Sequence, residues 1–344
     1  MLSRRDQCDV RGSASTEAGP DRRATERLGT DEAGIARAAS LLAIGGLVAF
    51  PTETVYGLGA DARNAAAVAS LYAAKGRPRF NPLIAHVGTP ADARTVGHFD
   101  RTAVALAEAF WPGPLTLVVP LADETSVCDL ARAGLRSVGI RVPSHPVARD
   151  ILARCGFPVV APSANLSGRI SPTASDHVLA DLDGRIDAVV EGGATAIGVE
   201  STIVACLGGA PILLRPGGVS REAIEQALGH RIGSELNKSG APVSPGLLAS
   251  HYAPRAAVRL DAVSVRPGEA VLLFGPNSPV GVDRSATVLN LSPAGDLTEA
   301  AANLFGFLRR LDSSGAATIA VAAIPPLGLG EAIVDRLRRA AADR

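Results

Sequence analysis

From Thr30 onward, short apolar runs rich in valine and isoleucine alternate with stretches whose apolar residues fall three or four positions apart. The first kind reads as buried strand and the second as amphipathic helix, so the pattern predicts an α/β protein. Thr30 or Asp31 caps a first helix that ends at Gly45-Gly46, and residues 47–50 form a strand stopped by Pro51. Val68, Leu71, Tyr72 and Lys75 share one face of the next helix. Further strands are expected at 83–87, 115–119, 137–142, 159–161, 188–191, 202–206 and 212–214, with helices at about 145–155, 173–182 and 220–228. The last strands follow one another so closely that a hairpin around Gly208-Gly209 is expected, which makes the sheet mixed. A polar stretch bearing Gly and Pro, SELNKSGAPVSPGLLASHYAP, then reads as a linker. Beyond it a smaller α/β unit is expected, with strands at 270–274, 287–291 and 318–323. Its helix faces are marked by Leu304, Phe305, Leu308 and Leu311, and by Ile333, Val334 and Leu337.

Length agrees with this division, because 344 residues exceed the size at which one core stops growing. A hydrophobic content of 47% with only 3% aromatic residues makes the core aliphatic. Thirty-four basic residues balance 34 acidic ones, so the molecule as a whole offers no electrostatic footprint for a long polyanion, and stable nucleic-acid binding is not expected. Residues 1–29 mix Arg, Asp, Glu, Ser and Gly without an apolar stretch and read as a disordered leader rather than a secretory signal. No run of about 18 apolar residues exists to cross a membrane, and a cytoplasmic protein is expected. Cys8, Cys128, Cys155 and Cys206 are too far apart for a C-x-x-C metal or redox site.

Candidate chemistry concentrates at the ends of the apolar runs. Four polar clusters, PTETVYGLG, KGRPRFNPL, APSANLSGRISPT and GVESTIV, stand there, and ligands of open α/β sheets bind at strand ends, so these clusters are expected to converge on one pocket. The chain has only two lysines, Lys75 and Lys238; Lys75 lies within five residues of Arg77 and Arg79 on a loop stiffened by Pro78 and Pro82. Such a cluster suits a polyphosphate, or alternatively complements the dipole of a helix end. Ser163, Asn165, Ser167 and Ser171, interleaved with Gly168 and Pro172, either cradle phosphate oxygens or form an ordinary turn. Arg141 is the one charge in an otherwise apolar run, which requires a partner or a pocket wall. His86 closes a strand in the same way, as a ligand or as a satisfied core residue. Glu53, Asp61 and Glu200 are too few and too scattered for a dedicated metal cage. No nucleophile elbow or H-E-x-x-H motif appears.

Taken together, PTETVYGLGADA, KGRPRFNPLIAHV, WPGPLTLVV, SVGIRVPSHPVA, APSANLSGRISPT, GVESTIV, LLRPGGVSREAIEQAL and SPGLLASHYAP resemble the threonylcarbamoyl-AMP synthase family, in that family's order and over nearly all of residues 31–255. The resemblance implies a YrdC-like catalytic domain at 30–232, with a twisted mixed sheet, helices and a large concave cavity. A linker and lid at 233–256 and a smaller Rossmann-like α/β domain at 257–344 follow. By motif, Thr54, His86, Arg141 and Ser201 match threonine-contacting positions, and Arg77, Asn81, Ser137, Ala161, Ser163, Ser171 and Arg215 match ATP-contacting ones. Lys75 and Thr52 match positions lining the same cavity, Lys75 and Arg77 are the catalytic candidates, and Tyr252 is the lid residue. Leu248, Ala249, Ser250 and Ala205 depart from the usual pattern.

The activity so implied joins L-threonine, bicarbonate or CO2, and ATP carrying Mg²⁺, and releases pyrophosphate. The product would pass to a tRNA threonylcarbamoyltransferase complex. Two other readings compete: a carbamoyl transferase of the hydrogenase-maturation type, disfavoured by the cysteine spacing, and a non-catalytic RNA-binding or ribosome-assembly module, disfavoured by the zero net charge.

Overall fold

The computed structural model describes residues 24–234 and 251–342. Cys8, Lys238 and the departures at Leu248, Ala249 and Ser250 lie outside the described residues. Among the described residues, β1 (Glu26–Leu28), β2 (Val48–Pro51), β3 (Tyr56–Asp61), β4 (Ile84–His86), β5 (Leu115–Pro120), β6 (Ser137–Arg141), β7 (Val159–Val160), β8 (Ala188–Val190), β9 (Thr202–Ala205), β10 (Ile212–Arg215) and β11 (Gly233–Ser234) share one sheet. Their order is β1-β8-β2-β3-β7-β4-β6-β5-β9-β10-β11. Parallel pairs such as β4 with β6 and β5 with β9 mix with antiparallel pairs such as β5 with β6. The expected hairpin is present, with Ile212 opposite Ala205.

Three readings need correction. Part of the supposed leader is ordered: Glu26–Leu28 pairs in parallel with Ala188–Val190, and Arg27 reaches Glu191. The strand expected at 47–50 runs from Val48 to Pro51, so Pro51 is its last residue and faces Tyr56 across an antiparallel pair. Tyr56–Asp61, read as a polar cluster, is an inner strand with all six residues buried. Its glycines disguised it, yet they are what this position needs: a Cβ on Gly59 would come within 2.7 Å of the Phe50 ring.

Alternation along the strands places the site. In β2, β7 and β8 both faces are covered. Val48, Phe50, Val159 and Val190 pack with Ile35, Leu42 and Ile151 on one side, while Ala49, Val160 and Val189 pack with Val68, Leu71 and Val178 on the other. Strands buried on both faces read as continuous apolar runs. In β4, β5, β6 and β9 only one face is covered in this way, by Ala85, Leu117, Ile140 and Val204. The opposite face carries a small cluster drawn from strands alone, Ile84, Val118, Ile203, Ala205 and Leu214, and beside it the buried polar residues His86, Thr116, Arg141 and Ser201. A concavity forms where the second helical layer is missing.

The smaller domain is a parallel sheet of β12 (Ala257–Arg259), β13 (Ala270–Leu273), β14 (Thr287–Asn290) and β15 (Thr318–Val321), in the order β12-β15-β13-β14. Helices Leu297–Ser313 and Leu329–Ala341 pack on it. Asp296 caps the first of these by accepting from the Thr298 and Glu299 amides. Its core is continuous with the larger domain, because Val55, Ile170 and Val199 pack in one cluster with Tyr252, Leu304 and Phe305. The junction also carries ion pairs Arg221–Glu331 at 2.6 Å and Arg309–Asp181 at 2.8 Å.

Candidate active site

The uncovered face of the large sheet forms the floor of a pocket with about 500 Å³ of empty space, part of it open to solvent. Its walls come from the polar clusters singled out in the sequence: Thr54 ahead of β3, Arg77 after helix Ala65–Lys75, His86 and Arg141 at the ends of β4 and β6, and Ala161 and Ser163 after β7. Ser201 leads into β9 and Arg215 ends β10. His251 and Tyr252 close one side. The scattered clusters therefore do converge. Asn81, Ser137, Ser171 and Lys75 are not part of this wall.

Arg141 is buried, and three of its five N–H groups have identified partners. Nε donates to the Gly113 carbonyl at 3.2 Å, Nη1 donates to Thr54 Oγ1 at 2.9 Å, and Nη2 lies 2.7 Å from Glu53 Oε1. A guanidinium has five donors, so two N–H groups, one on Nη1 and one on the buried Nη2, remain without a partner among the described residues. Burial pushes the Glu53 carboxyl up, but the Arg141 charge together with the hydrogen bonds from Arg141 and the backbone holds the group below its ordinary range. The Ser144 amide donates to Glu53 Oε2, and Thr54 Oγ1 is also tied to Thr52 Oγ1 at 2.8 Å. His86, paired with Arg141 across β4 and β6, is pressed down to about 3 by burial and by the Arg141 charge, so it is neutral at physiological pH.

On the opposite wall, Ser201 Oγ pairs with Thr116 Oγ1 at 2.8 Å and accepts from Arg215 Nη2 at 3.2 Å. Arg215 also donates to the Ser201 carbonyl through Nε and Nη2. Close backbone approach makes this possible: a Cβ on Gly217 would lie 2.3 Å from the Glu200 carbonyl oxygen. Glu200 accepts from Ser171 Oγ at 2.5 Å, so Ser171 acts behind the wall rather than on it.

Lys75 lies behind the wall as well. Its Nζ donates to the carbonyls of Ser163 and Asn165, and the Ser167 amide donates to the Lys75 carbonyl, so this lysine clamps the 163–167 turn. Burial, then the nearby Arg77 charge, hold its pKa well below the ordinary lysine value. A phosphate contact through Nζ, expected from the sequence, is not what the geometry presents: the ammonium is spent on backbone acceptors. Arg77 does face the pocket. Nη2 donates to the Pro82 carbonyl at 3.2 Å, while Nε, like Oδ1 of neighbouring Asn81, is buried without a protein partner. Ser137 sits on the same face of β6 as Arg141, four residues away, or about 13 Å at strand rise. Arg79 and Thr52 are off the wall, Thr52 through its bonds to Thr54 and the Val55 carbonyl.

Tyr252 adopts a left-handed backbone at φ 62°, is 1% exposed and stacks on Phe305 at 5.5 Å, with His251 edge-on at 4.1 Å. The lid residue thus belongs to the core joining the two domains. Burial, the first cause, drives His251 down to about 3 despite the Glu200 charge.

Sequence reasoning passed over Glu53, Thr116, His251 and Arg336 as site residues. Glu53 had a signal, being the one acid in PTET, beside Thr54, in a chain that also holds a lone buried arginine in need of a partner. Arg336 had none, since it lies in an amphipathic helix beside other arginines. Among the described residues no group of three or more His, Cys, Asp or Glu could hold a metal ion; Glu200, which lines the pocket, and Glu53 behind it are each engaged by an arginine. No described helix is long and apolar enough to cross a membrane.

Residues 40–217 match a family model described as Telomere recombination, and residues 219–342 match one described as Threonylcarbamoyl-AMP synthase, C-terminal domain. The chain is 40% identical over 334 residues to the threonylcarbamoyl-AMP synthase of Bacillus subtilis, covering 93% of this chain and 96% of that protein. It is 40% identical over 323 residues to the Pyrococcus abyssi enzyme of the same name, covering 89% and 94%. A crystal structure of P. abyssi Sua5 complexed with L-threonine superposes with a TM-score of 0.84 at 36% identity, over 92% of this chain and 97% of that one. With both domains matched in order and the pocket built from the shared motifs, this chain belongs to the threonylcarbamoyl-AMP synthase family.

Proposed function

We infer that the chain is an L-threonylcarbamoyladenylate synthase, forming threonylcarbamoyl-AMP and pyrophosphate from L-threonine, bicarbonate or CO2, and ATP. One observation carries this reading: a carboxylate-binding end, built from Thr54, His86, Arg141 and Ser201, and a phosphate-binding end, built from Arg77, Ser163 and Arg215, open into a single pocket. The two spare donors of Arg141 take the amino-acid carboxylate, with Thr54 and Ser201 hydroxyls beside it. Neutral His86 accepts or donates a hydrogen bond there without adding charge. Arg77, whose Nε is left without a protein partner, faces the nucleotide, which lies along the β6 face between Arg141 and Ser137.

In the first step the threonine amine nitrogen forms a bond to the carbon of CO2 and releases a proton to water; from bicarbonate the same bond displaces hydroxide, which leaves as water with the amine proton. In the second a carbamate oxygen bonds to the α-phosphorus while the bond to pyrophosphate breaks. Negative charge grows on the α-phosphoryl oxygens and the leaving group, so Arg77 and Arg215, fixed before the reaction, lower the barrier electrostatically. Lys75 serves this step by holding the Ser163 turn. Mg²⁺ carried in with ATP would supply further charge neutralisation. Tyr252 and His251 keep water from the labile carbamate. A cytoplasmic location and transfer of the product to a tRNA threonylcarbamoyltransferase complex, without stable RNA binding by this chain, complete the reading. The test is pyrophosphate release from ATP that requires both threonine and bicarbonate and drops sharply with serine; release indifferent to threonine refutes it.

A further inference from the structure

The smaller domain sends one side chain into the wall of the pocket. Arg336, on helix Leu329–Ala341, is fully buried, and its Nε donates to Glu200 Oε2 at 2.8 Å. Nη2 donates to the Pro216 carbonyl at 3.0 Å, Nη1 donates to Asp335 Oδ2 at 2.6 Å, and the guanidinium lies 5.2 Å from the centre of the Tyr252 ring. Glu200 lines the pocket directly, accepts from Ser171 through its other oxygen, and feels the charge of Arg215 as well. One carboxylate therefore stands between two buried arginines, one from each domain.

We propose that Arg336 is a positioning residue for the synthase reaction, which acts by holding Glu200 away from Arg215 so that Arg215 stays fixed on Ser201 and keeps its remaining donors for the nucleotide. Without it, a buried carboxylate must find another cation, and Arg215 is at hand. Glu200 would then draw the Arg215 guanidinium off the Ser201 backbone. At the threonine end Arg141 is held independently by Glu53, and Ser201, though it loses Arg215, keeps its Thr116 partner, so most of the damage falls on the ATP side. The smaller domain is on this view a structural part of the catalytic wall rather than an appendage.

The inference rests on the proposed reaction, and the experiment keeps the two apart. Threonine- and bicarbonate-dependent pyrophosphate release is measured for the full-length protein, Arg336→Met, Glu200→Gln and the double variant. Arg336→Met is expected to raise the KM for ATP at least 10-fold and to lower kcat/KM for ATP about 100-fold, with the KM for threonine within threefold. In the Glu200→Gln background the same change is expected to cost less than threefold, since its target is gone. Unaltered ATP kinetics with a lowered unfolding temperature, or full additivity in the double variant, would overturn the proposal. If Arg336→Met does not fold, Arg336→Lys takes its place in the same cycle: it keeps the charge but cannot reach Glu200 and the Pro216 carbonyl together, so a KM for ATP equal to that of the parent overturns the proposal. Failure of the unaltered protein to release pyrophosphate overturns the reaction instead.

Discussion

Replacing Lys75 by Met separates the two roles a buried lysine can play in this pocket. The Nζ group satisfies two backbone carbonyls, Ser163 O and Asn165 O, and Met fills the same space with no donor. Each carbonyl left unsatisfied costs about 1–3 kcal/mol, and relief of burying the amine returns part of that, so the net loss is about 2–4 kcal/mol. Urea unfolding followed by the fluorescence of Trp111, the one tryptophan, reads the larger domain selectively, because that indole is buried there and donates to the Leu115 carbonyl. The midpoint is expected to fall by about 1–2 M at an ordinary urea slope, with pyrophosphate release reduced in parallel as the Ser163 turn loosens. If activity vanishes while the midpoint stays put, Lys75 acts on the ligand itself and the clamp reading is wrong.

Arg141→Lys keeps a charge but cannot satisfy Gly113, Thr54 and Glu53 together; a 10- to 100-fold rise in the KM for threonine is expected from the loss of one to two charge-assisted bonds, read by steady-state kinetics. His86 and His251 are both driven to about 3, below the unfolded value near 6.5, so the unfolded chain binds more protons between those limits. Stability should therefore rise with pH from about 3 to 6.5, by up to about 2 kcal/mol per histidine between pH 5 and 6.5, and His251→Phe should flatten the slope in pH-dependent urea unfolding. Glu53 and Glu200 are held below their ordinary range in the folded protein, so what their ion pairs contribute is complete above about pH 4.5 and lost as pH falls through the lowered values. Glu53→Gln should weaken the protein most at pH 7, with the loss shrinking as pH falls through the lowered Glu53 value, so the acid limb of its stability profile becomes shallower. Tyr252→Ala removes the stack on Phe305 and should cost about 3–5 kcal/mol of stability at the domain junction, measured by thermal unfolding.

Much of this protein is written locally. The period of apolar residues located β2, the helix Glu32–Ala43 with its Asp31 cap, the hairpin of β9 and β10, and the strands β13 to β15. The polar clusters at strand ends were expected to meet once the strands align, and the family resemblance named Thr54, Arg77, His86, Arg141, Ser163, Ser201 and Arg215 among the contacts; all seven line one pocket. Where glycine replaced side chains, as in Tyr56–Asp61, the pattern fell silent, since the signal of a strand is its side chains. Three things belonged to tertiary structure alone. The missing helical layer over β4 to β9 makes the concavity, and no single strand records which of its faces will be left uncovered. Lys75 turned from the pocket to the Ser163 and Asn165 carbonyls because backbone acceptors from a turn 88 residues or more away reach it first. Arg336 meets Glu200 across 136 residues of chain; a partnership between a helix of one domain and a strand end of another leaves no trace in local periodicity, because only the docking of the two cores brings the charges together.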